Sequence, residues 1–283
     1  MIAKYLIHLD GQGNSLTTRN LRLNCIKAFY SYAADVNKEV IAFEVAISKI
    51  PKATVPKYRK VDYLSVKAVN ILLDQPDTQT AKGRRDRFFM LLMYDTGTRL
   101  AEIRNMKLCD IIWGRKVEAK LFGKGSKERS VPITDTVATE LQIYLKEFHP
   151  NAGKYADDYL FYVEQHGHYF PFSDSIARKI VREYGEDAKK ACNEISDTVH
   201  PHMLRHSRAM HLYQHGMDLT LVSQWLGHVR LETTLIYAHA DTEHKRKAIA
   251  AATPANSPLR GRLNAKRFTV SDENTLKQLY GLK

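Results

Sequence analysis

The chain has 283 residues, 44% hydrophobic and 26% charged, the make-up of a globular protein with room for one large domain or two modest ones. No run of about 18 apolar residues occurs, so no membrane-spanning helix is expected. The three cysteines (Cys25, Cys109, Cys192) form no CxxC pair, which argues against zinc ribbons and redox motifs and fits a reducing cytoplasm. A formal net charge of +12 favours a polyanionic partner, nucleic acid first.

The opening "MIAKYLIHLDGQG" has a short apolar stretch without a small-residue cleavage site, so no signal peptide is read. "TTRNLRLNCIKAFYSYAADV" has helical spacing, with Ile26, Phe29, Tyr30 and Ala33 along one face. "EVIAFEVAISKI" is read as another helix. Residues 1–50 are too few to bury much core alone and are expected to form a small helical domain that leans on a partner, or a truncated one. Residues 51–62, with two prolines and a run of basic residues, are expected to be a linker lying across a charged surface.

The pattern strengthens over residues 63–253, read as one further domain. Ser65 is a candidate N-cap for the helix carrying Val66, Val69, Leu72 and Leu73. "RDRFFMLLMYDTG" is apolar nearly all round, a buried central helix that Gly97 can stop. "RLAEIRNMKLCDI" restarts a helix after Thr98. "KVEAKLFGKGSKERSVPI" has two short alternating runs around "GKGSK", a β-hairpin signal. "TDTVATELQIYLKEFH" returns to helix with Val137, Leu141, Tyr144, Leu145 and Phe148 on one side, and "SDSIARKIVREYG" is another. From "HPHMLRHSRAMHLYQHG" to "HKRKAIAAA", four helices are expected, with breaks near Gly216, Gly227 and His239. Residues 254–283 form a basic, loop-like tail with a possible last helix. The expected class is mainly α (α+β), mostly helical with a small antiparallel sheet.

The histidines of "HPHMLRH" admit three readings. His202 and His206 stand i, i+4, as zinc ligands on a helix can, but Met203 stands where a catalytic zinc helix needs glutamate. No cysteine or acidic ligand is near in sequence. Core packing suits His206, His211 and His215. An anion site suits His202 and Arg205, which share a helix face, with Pro201 placing His202 near a positive helix end. Arg99 starts a helix after a glycine turn, Lys124 sits at a hairpin tip, His228 follows Gly227, and Tyr237 comes nine residues later.

These positions resemble the tyrosine recombinase (phage integrase) family over roughly residues 63–250. "TGTRLAEI" resembles its first arginine box, "GKGSKERSVPI" its catalytic-lysine hairpin, "HPHMLRH" its H-x-x-R box, and "LGH" with a tyrosine nine residues on its last box. Any one motif is short; six residues in register, Arg99, Lys124, His202, Arg205, His228 and Tyr237, are specific. The resemblance implies a site-specific recombinase or integrase of a mobile element, with Tyr237 as the nucleophile forming a 3′-phosphotyrosine. Glu102 is expected to orient the arginines, and His206 and His239 match family positions that are usually structural.

The chemistry is coherent on its own terms. A phosphodiester gathers charge on its nonbridging oxygens in the transition state, and two guanidinium forks can hold them. Imidazoles can add hydrogen bonds and move a proton. A cationic site favours the phenolate of a tyrosine whose ordinary pKa is about 10, and a hairpin lysine can protonate the leaving 5′-oxygen. No metal or cofactor is needed. Candidate DNA contacts are Lys52, Lys57, Arg59 and Lys60 in the linker and Lys127 and Arg129 on the hairpin. The resemblance further implies double-stranded DNA carrying a recombination site as partner. It implies a homotetramer on two duplexes, a monomer or weak dimer without DNA, possible DNA-bending accessory proteins, and a place in the bacterial cytoplasm with the nucleoid. Residues 254–283 are expected to be exchanged between subunits. Two alternatives stay open: a type IB topoisomerase-like relaxing enzyme, and a non-catalytic DNA-binding protein on the same fold. The resemblance implies that residues 1–50 are a core-binding (SAM-like) DNA-binding domain, expected to be either a short form of the family's usual one or one that lacks a first helix.

Overall fold

A computed structural model describes residues 2–55, 61–123, 128–151, 153, 157–228, 231–240, 246 and 249–253. The chain divides into two compact units, residues 1–59 and 60–283. Among the described residues no helix is long and apolar enough to cross a membrane.

The first unit is helical: α1 (Ile2–Gly11), α2 (Leu16–Val36) and α3 (Ile41–Ser48). The Ser15 side chain caps α2 by accepting from Thr18 N. The apolar opening of the chain is thus helix α1, not just a short stretch, because Leu6 and Leu9 bury against Leu23 of α2. That changes the expected face of α2. Leu23 is the buried residue, whereas Phe29 is exposed.

The second unit begins with α4 (Val66–Leu73), capped by Ser65 as expected, its hydroxyl accepting from Ala68 N. Helix α5 (Ala81–Thr96) is buried along Phe88, Phe89, Leu92 and Met93; each such side chain contributes about 1.5–3 kcal/mol over an exposed one. Gly97 ends it in the left-handed region, φ 59°. Helix α6 is short, Leu100–Arg104. The chain then makes a 3-10 turn at Leu108–Asp110 and enters the sheet, so the helix expected through Ile111 stops early. Strands β1 (Ile111–Ile112), β2 (Glu118–Phe122) and β3 (Glu128–Pro132) form an antiparallel sheet in that order. Leu121 pairs with Arg129 and Ala119 with Val131.

Helix α7 (Asp135–Phe148) packs on α5, burying Val137, Leu141 and Tyr144. A second hairpin, β4 (Tyr162–Gln165) and β5 (His168–Pro171), turns at His166–Gly167 with both φ positive, 51° and 76°, as a two-residue type I′ turn requires. Helix α8 (Asp174–Ala191) passes through Gly185 rather than ending there. A Cβ at that glycine would lie 2.5 Å from Val199 Cβ, so the residue serves a close approach, not a stop. Helices α9 (Pro201–Gln214), α10 (Leu219–Leu226) and α11 (Leu235–Ala240) complete the described fold. Gly216 and Gly227 mark breaks as expected. The expected break near His239 falls at the end of α11, and the tail, residues 254–283, lies outside the described residues.

Helix α9 packs on α5, α4 and α10. Buried carboxylates steady this arrangement. Asp95, whose pKa burial pushes up, accepts from Thr134 N at 2.9 Å and pairs with Arg208 at 3.2 Å. Ser207 on α9 donates to Met203 O and accepts from Leu64 N at 2.8 Å, which pins the approach to α4 onto α9.

Candidate active site

The site is organised by the carboxyl end of α10. Asp218 caps the start of this helix by accepting from Thr220 N. At its other end Gly227 takes φ 64°, and the last carbonyls point out with the negative end of the helix dipole. Three consecutive carbonyls each accept from a different arginine. Trp225 O accepts from Arg129 Nε at 3.2 Å, Leu226 O from Arg205 Nη2 at 2.6 Å, and Gly227 O from Arg99 Nη2 at 2.9 Å.

The arginines come from different elements. Arg99 is the residue before α6, just past the Gly97 turn. Arg205 lies on α9, 3% exposed, and its Nη1 donates to Gly97 O. It therefore ties the ends of α5 and α10 together. Burial, then the neighbouring Arg99 charge, lowers its pKa to about 10, so it remains a cation at neutral pH. Arg129 comes from β3.

One carboxylate answers them. Glu102 accepts from Arg99 N at 2.7 Å, from Arg99 Nη1 at 2.8 Å, and from both Nη1 and Nη2 of Arg129 at 2.8 Å. Burial pushes its pKa up, but the hydrogen bonds from Arg129 and Arg99 outweigh that and hold it below the usual carboxylate value. Three guanidinium charges against one carboxylate leave two positive charges. The Arg99 side chain, 35% exposed, keeps donors accessible to an anion.

The imidazoles surround this cluster. Pro201 is the first residue of α9 and His202 the second, on the exposed side. The pKa of His202 is lowered by desolvation of its ring and then by Arg205. His228 follows Gly227, and its Nδ1 meets Thr234 Oγ1 at 2.8 Å, which sets the ring's orientation. Its pKa falls to about 4 through burial and the Arg205 and Arg99 charges. His206, one turn beyond His202, holds its Nδ1 2.8 Å from the Tyr237 hydroxyl. Its pKa is also lowered to about 4, by burial first, so both rings are neutral at pH 7.

Tyr237 on α11 is fully buried, packed with Val61, Met210, Val222 and Leu226. Burial raises its pKa to about 12, against a lowering by Arg205. Its hydroxyl therefore rests as a neutral phenol. Among the described residues no group of three or more histidines, cysteines or carboxylates is arranged to hold a metal ion.

The sequence profile of the phage integrase family matches residues 62–244. The chain belongs to the phage integrase family. The tyrosine recombinase XerD of Staphylococcus epidermidis is 34% identical over 257 residues, covering 87% of this chain and 80% of that protein. XerD of Staphylococcus aureus strain Mu50 is 33% identical over 253 residues, with the same coverages. Among solved structures, the XerH site-specific recombinase bound to its difH substrate aligns with 89% of this chain and 68% of that one, at 25% identity and a TM-score of 0.64. The chain is accordingly an enzyme of the tyrosine-type site-specific recombinase class.

Of the residues singled out in this recombinase, Arg99, Arg205 and His228 converge on the end of α10, with Glu102 between the arginines. His202, His206 and Tyr237 line up beside them: the His202 and His206 rings are 6.4 Å apart, and the His206 and Tyr237 rings 5.8 Å. Lys124, Lys127, Lys57, Arg59 and Lys60 lie outside the described residues, as does the side chain of His239; Lys52 is exposed. Arg129 corrects an expectation. Its side chain is 13% exposed, and Nε, Nη1 and Nη2 donate to Trp225 O and to Glu102, where a side chain open to DNA was expected. The reading of His206 as a core residue was incomplete, because it touches Tyr237. Thr234 was missed, and so were the accepting carbonyls, since a main-chain oxygen has no side-chain signature. Arg129 did have a signal: period-2 alternation puts it on the same face of β3 as Val131, and that face is buried.

Proposed function

We propose that this recombinase breaks and rejoins DNA at a specific site through a 3′-phosphotyrosine on Tyr237, without a metal. The carrying observation is the gathering of three arginines on successive carbonyls of α10, with a net positive charge beside the Tyr237 hydroxyl. A phosphodiester brings one negative charge, and its transition state places more on the nonbridging oxygens. Arg99 and Arg205 are the forks for those oxygens. His202 and His228 supply further hydrogen bonds. Such charge stabilisation is what a metal would otherwise provide.

In the chemical step the Tyr237 oxygen bonds to phosphorus and the bond to the 5′-oxygen breaks. His206 takes up the phenol proton in the tautomer that leaves Nδ1 unprotonated, since that nitrogen lies 2.8 Å from the hydroxyl. Lys124 donates the proton that the leaving 5′-oxygen takes up. The phosphotyrosine keeps the ester energy until another 5′-hydroxyl attacks. Because Tyr237 has no exposed surface, attack follows a shift of α11 on the bound substrate. Residues 1–50 and the basic linker, residues 51–62, contribute DNA contacts, and four subunits act on two duplexes in the bacterial cytoplasm.

The test is a nicked suicide substrate incubated with the wild-type protein in excess EDTA. The expected result is a covalent adduct at the 3′-phosphate side of the break, and recombinant junctions when two site-bearing duplexes are supplied. An adduct without junctions would make it a relaxing enzyme. DNA binding with no adduct would make it a binding protein only. Cleavage abolished by EDTA and restored by zinc or magnesium would return a metal to the mechanism.

A further inference from the structure

Strand β3 does more than lead away from the hairpin tip. Its register sets Arg129 opposite Leu121 and Val131 opposite Ala119, and Leu121, Val131 and Ala119 are buried. A guanidinium on that face has to find partners, since an unpaired buried charge costs far more than a paired one. Arg129 finds one for each nitrogen: the two oxygens of Glu102 and the carbonyl of Trp225. The pair with Glu102 is bidentate, the geometry that adds directional control to charge.

Glu102 in turn holds Arg99 twice, through its main-chain N–H and through Nη1. Its carboxylate is 3% exposed, so water cannot replace a lost donor. A second, independent observation concerns Gly227. A Cβ there would come within 2.9 Å of Arg129 Cδ and Nη1. The glycine of "LGH" thus makes room for the Arg129 side chain as it passes to Glu102, besides adopting a left-handed turn.

We propose that Arg129 is a positioning residue: it locks Glu102, and through it Arg99, against the end of α10, and so couples the lysine-bearing hairpin to the arginine cluster instead of contacting DNA. The proposal rests on the reading of this cluster as the phosphate site. Seating β3 and seating Arg99 then become one event, because both depend on the same carboxylate. Misplacing Arg99 by an ångström costs on the order of 10²-fold in rate.

The test compares Arg129→Gln, Glu102→Gln and the double variant in the full chain. The Glu102 carboxyl is followed by 13C-glutamate NMR titration, its resonance assigned by its loss in Glu102→Gln. In Arg129→Gln its titration should move to higher pH, because half of its donors are gone. Single-turnover cleavage should fall on the order of 10²-fold, and the double variant should cleave no worse than Glu102→Gln alone. The salt dependence of single-site DNA binding should keep its slope. An unmoved Glu102 titration would overturn the proposal. So would a slope lowered by about one, the mark of a lost phosphate contact. Should Arg129→Gln fail to fold, Arg129→Lys keeps the charge without the fork, and the same titration and slope decide. If the wild type forms no adduct, the recombination reading fails, while the titration and salt slope still judge Arg129.

Discussion

Replacing Arg205 by lysine keeps the positive charge and removes the planar fork. Arg205 bridges two helix ends, donating from Nη1 to Gly97 O and from Nη2 to Leu226 O at 2.6 Å, while 3% exposed. One ammonium nitrogen on a flexible stem cannot hold both carbonyls and also present a planar pair of donors to a phosphate. Losing one charge-assisted hydrogen bond costs about 1.5–3 kcal/mol, and this overlaps with the penalty for the orphaned carbonyl. A loss of roughly 2–3 kcal/mol in a protein of this size lowers Tm by about 2–4 °C per kcal/mol, or roughly 4–12 °C. The chemical step loses a further 2.7–4 kcal/mol or so, about 10²–10³ in rate, as for one oxyanion donor. Arg99→Lys is the control. Its side chain is more exposed, at 35%, so the stability loss should be smaller while the rate loss is similar. Calorimetry and single-turnover adduct formation on a nicked substrate measure the two effects separately. An Arg205→Lys protein that melts and cleaves like the wild type would refute both the bridge and the clamp.

Gly227→Ala should slow cleavage and cost about 1–2 kcal/mol, because a non-glycine residue is strained at φ 64° and its Cβ would press on Arg129; a wild-type melt and rate would contradict this. His206 and His228 titrate near about 4 when folded, against 6.5 as the ordinary value. The unfolded chain therefore binds more protons between pH 6.5 and 4. Their contribution to stability is full above pH 6.5 and is lost as the pH falls through that window. The urea midpoint should drop from pH 7 to 4.5, and drop less in a His206→Gln, His228→Gln double variant; equal slopes would show that these rings do not drive the loss.

Much of the fold could be read in advance because local chemistry and tertiary role agreed. The Ser65 cap and the Gly97 stop are examples, each calling for one residue type in one backbone state. The misreadings arose where a residue served a partner far away in the chain. The stretch read as helix closes at Gly185, yet α8 continues through it, and Val199 packs against that glycine. The β4–β5 hairpin went unread for a local reason: its "QHGH" turn lacks the usual asparagine-glycine signal, although His166 adopts the same positive φ. Helix α1 is short, and its two buried leucines gain meaning only against Leu23. In the candidate site, Arg99, His202, Arg205, His228 and Tyr237 were legible as a set because their order and spacing resemble the family's motifs. The roles of Arg129 and His206 were not, since each is defined by a contact with a residue that lies 27 or 31 positions away.

The residue to which the DNA becomes attached tests Tyr237 as the nucleophile most directly. A suicide substrate trapped on the wild-type protein, digested with trypsin and analysed by mass spectrometry, should yield one nucleotide-bearing peptide, residues 231–245, "LETTLIYAHADTEHK". The 3′-phosphoryl group should map to Tyr237, and Tyr237→Phe should bind the same site yet give no adduct. An adduct on any other residue, or one formed in full yield by Tyr237→Phe, would contradict the account.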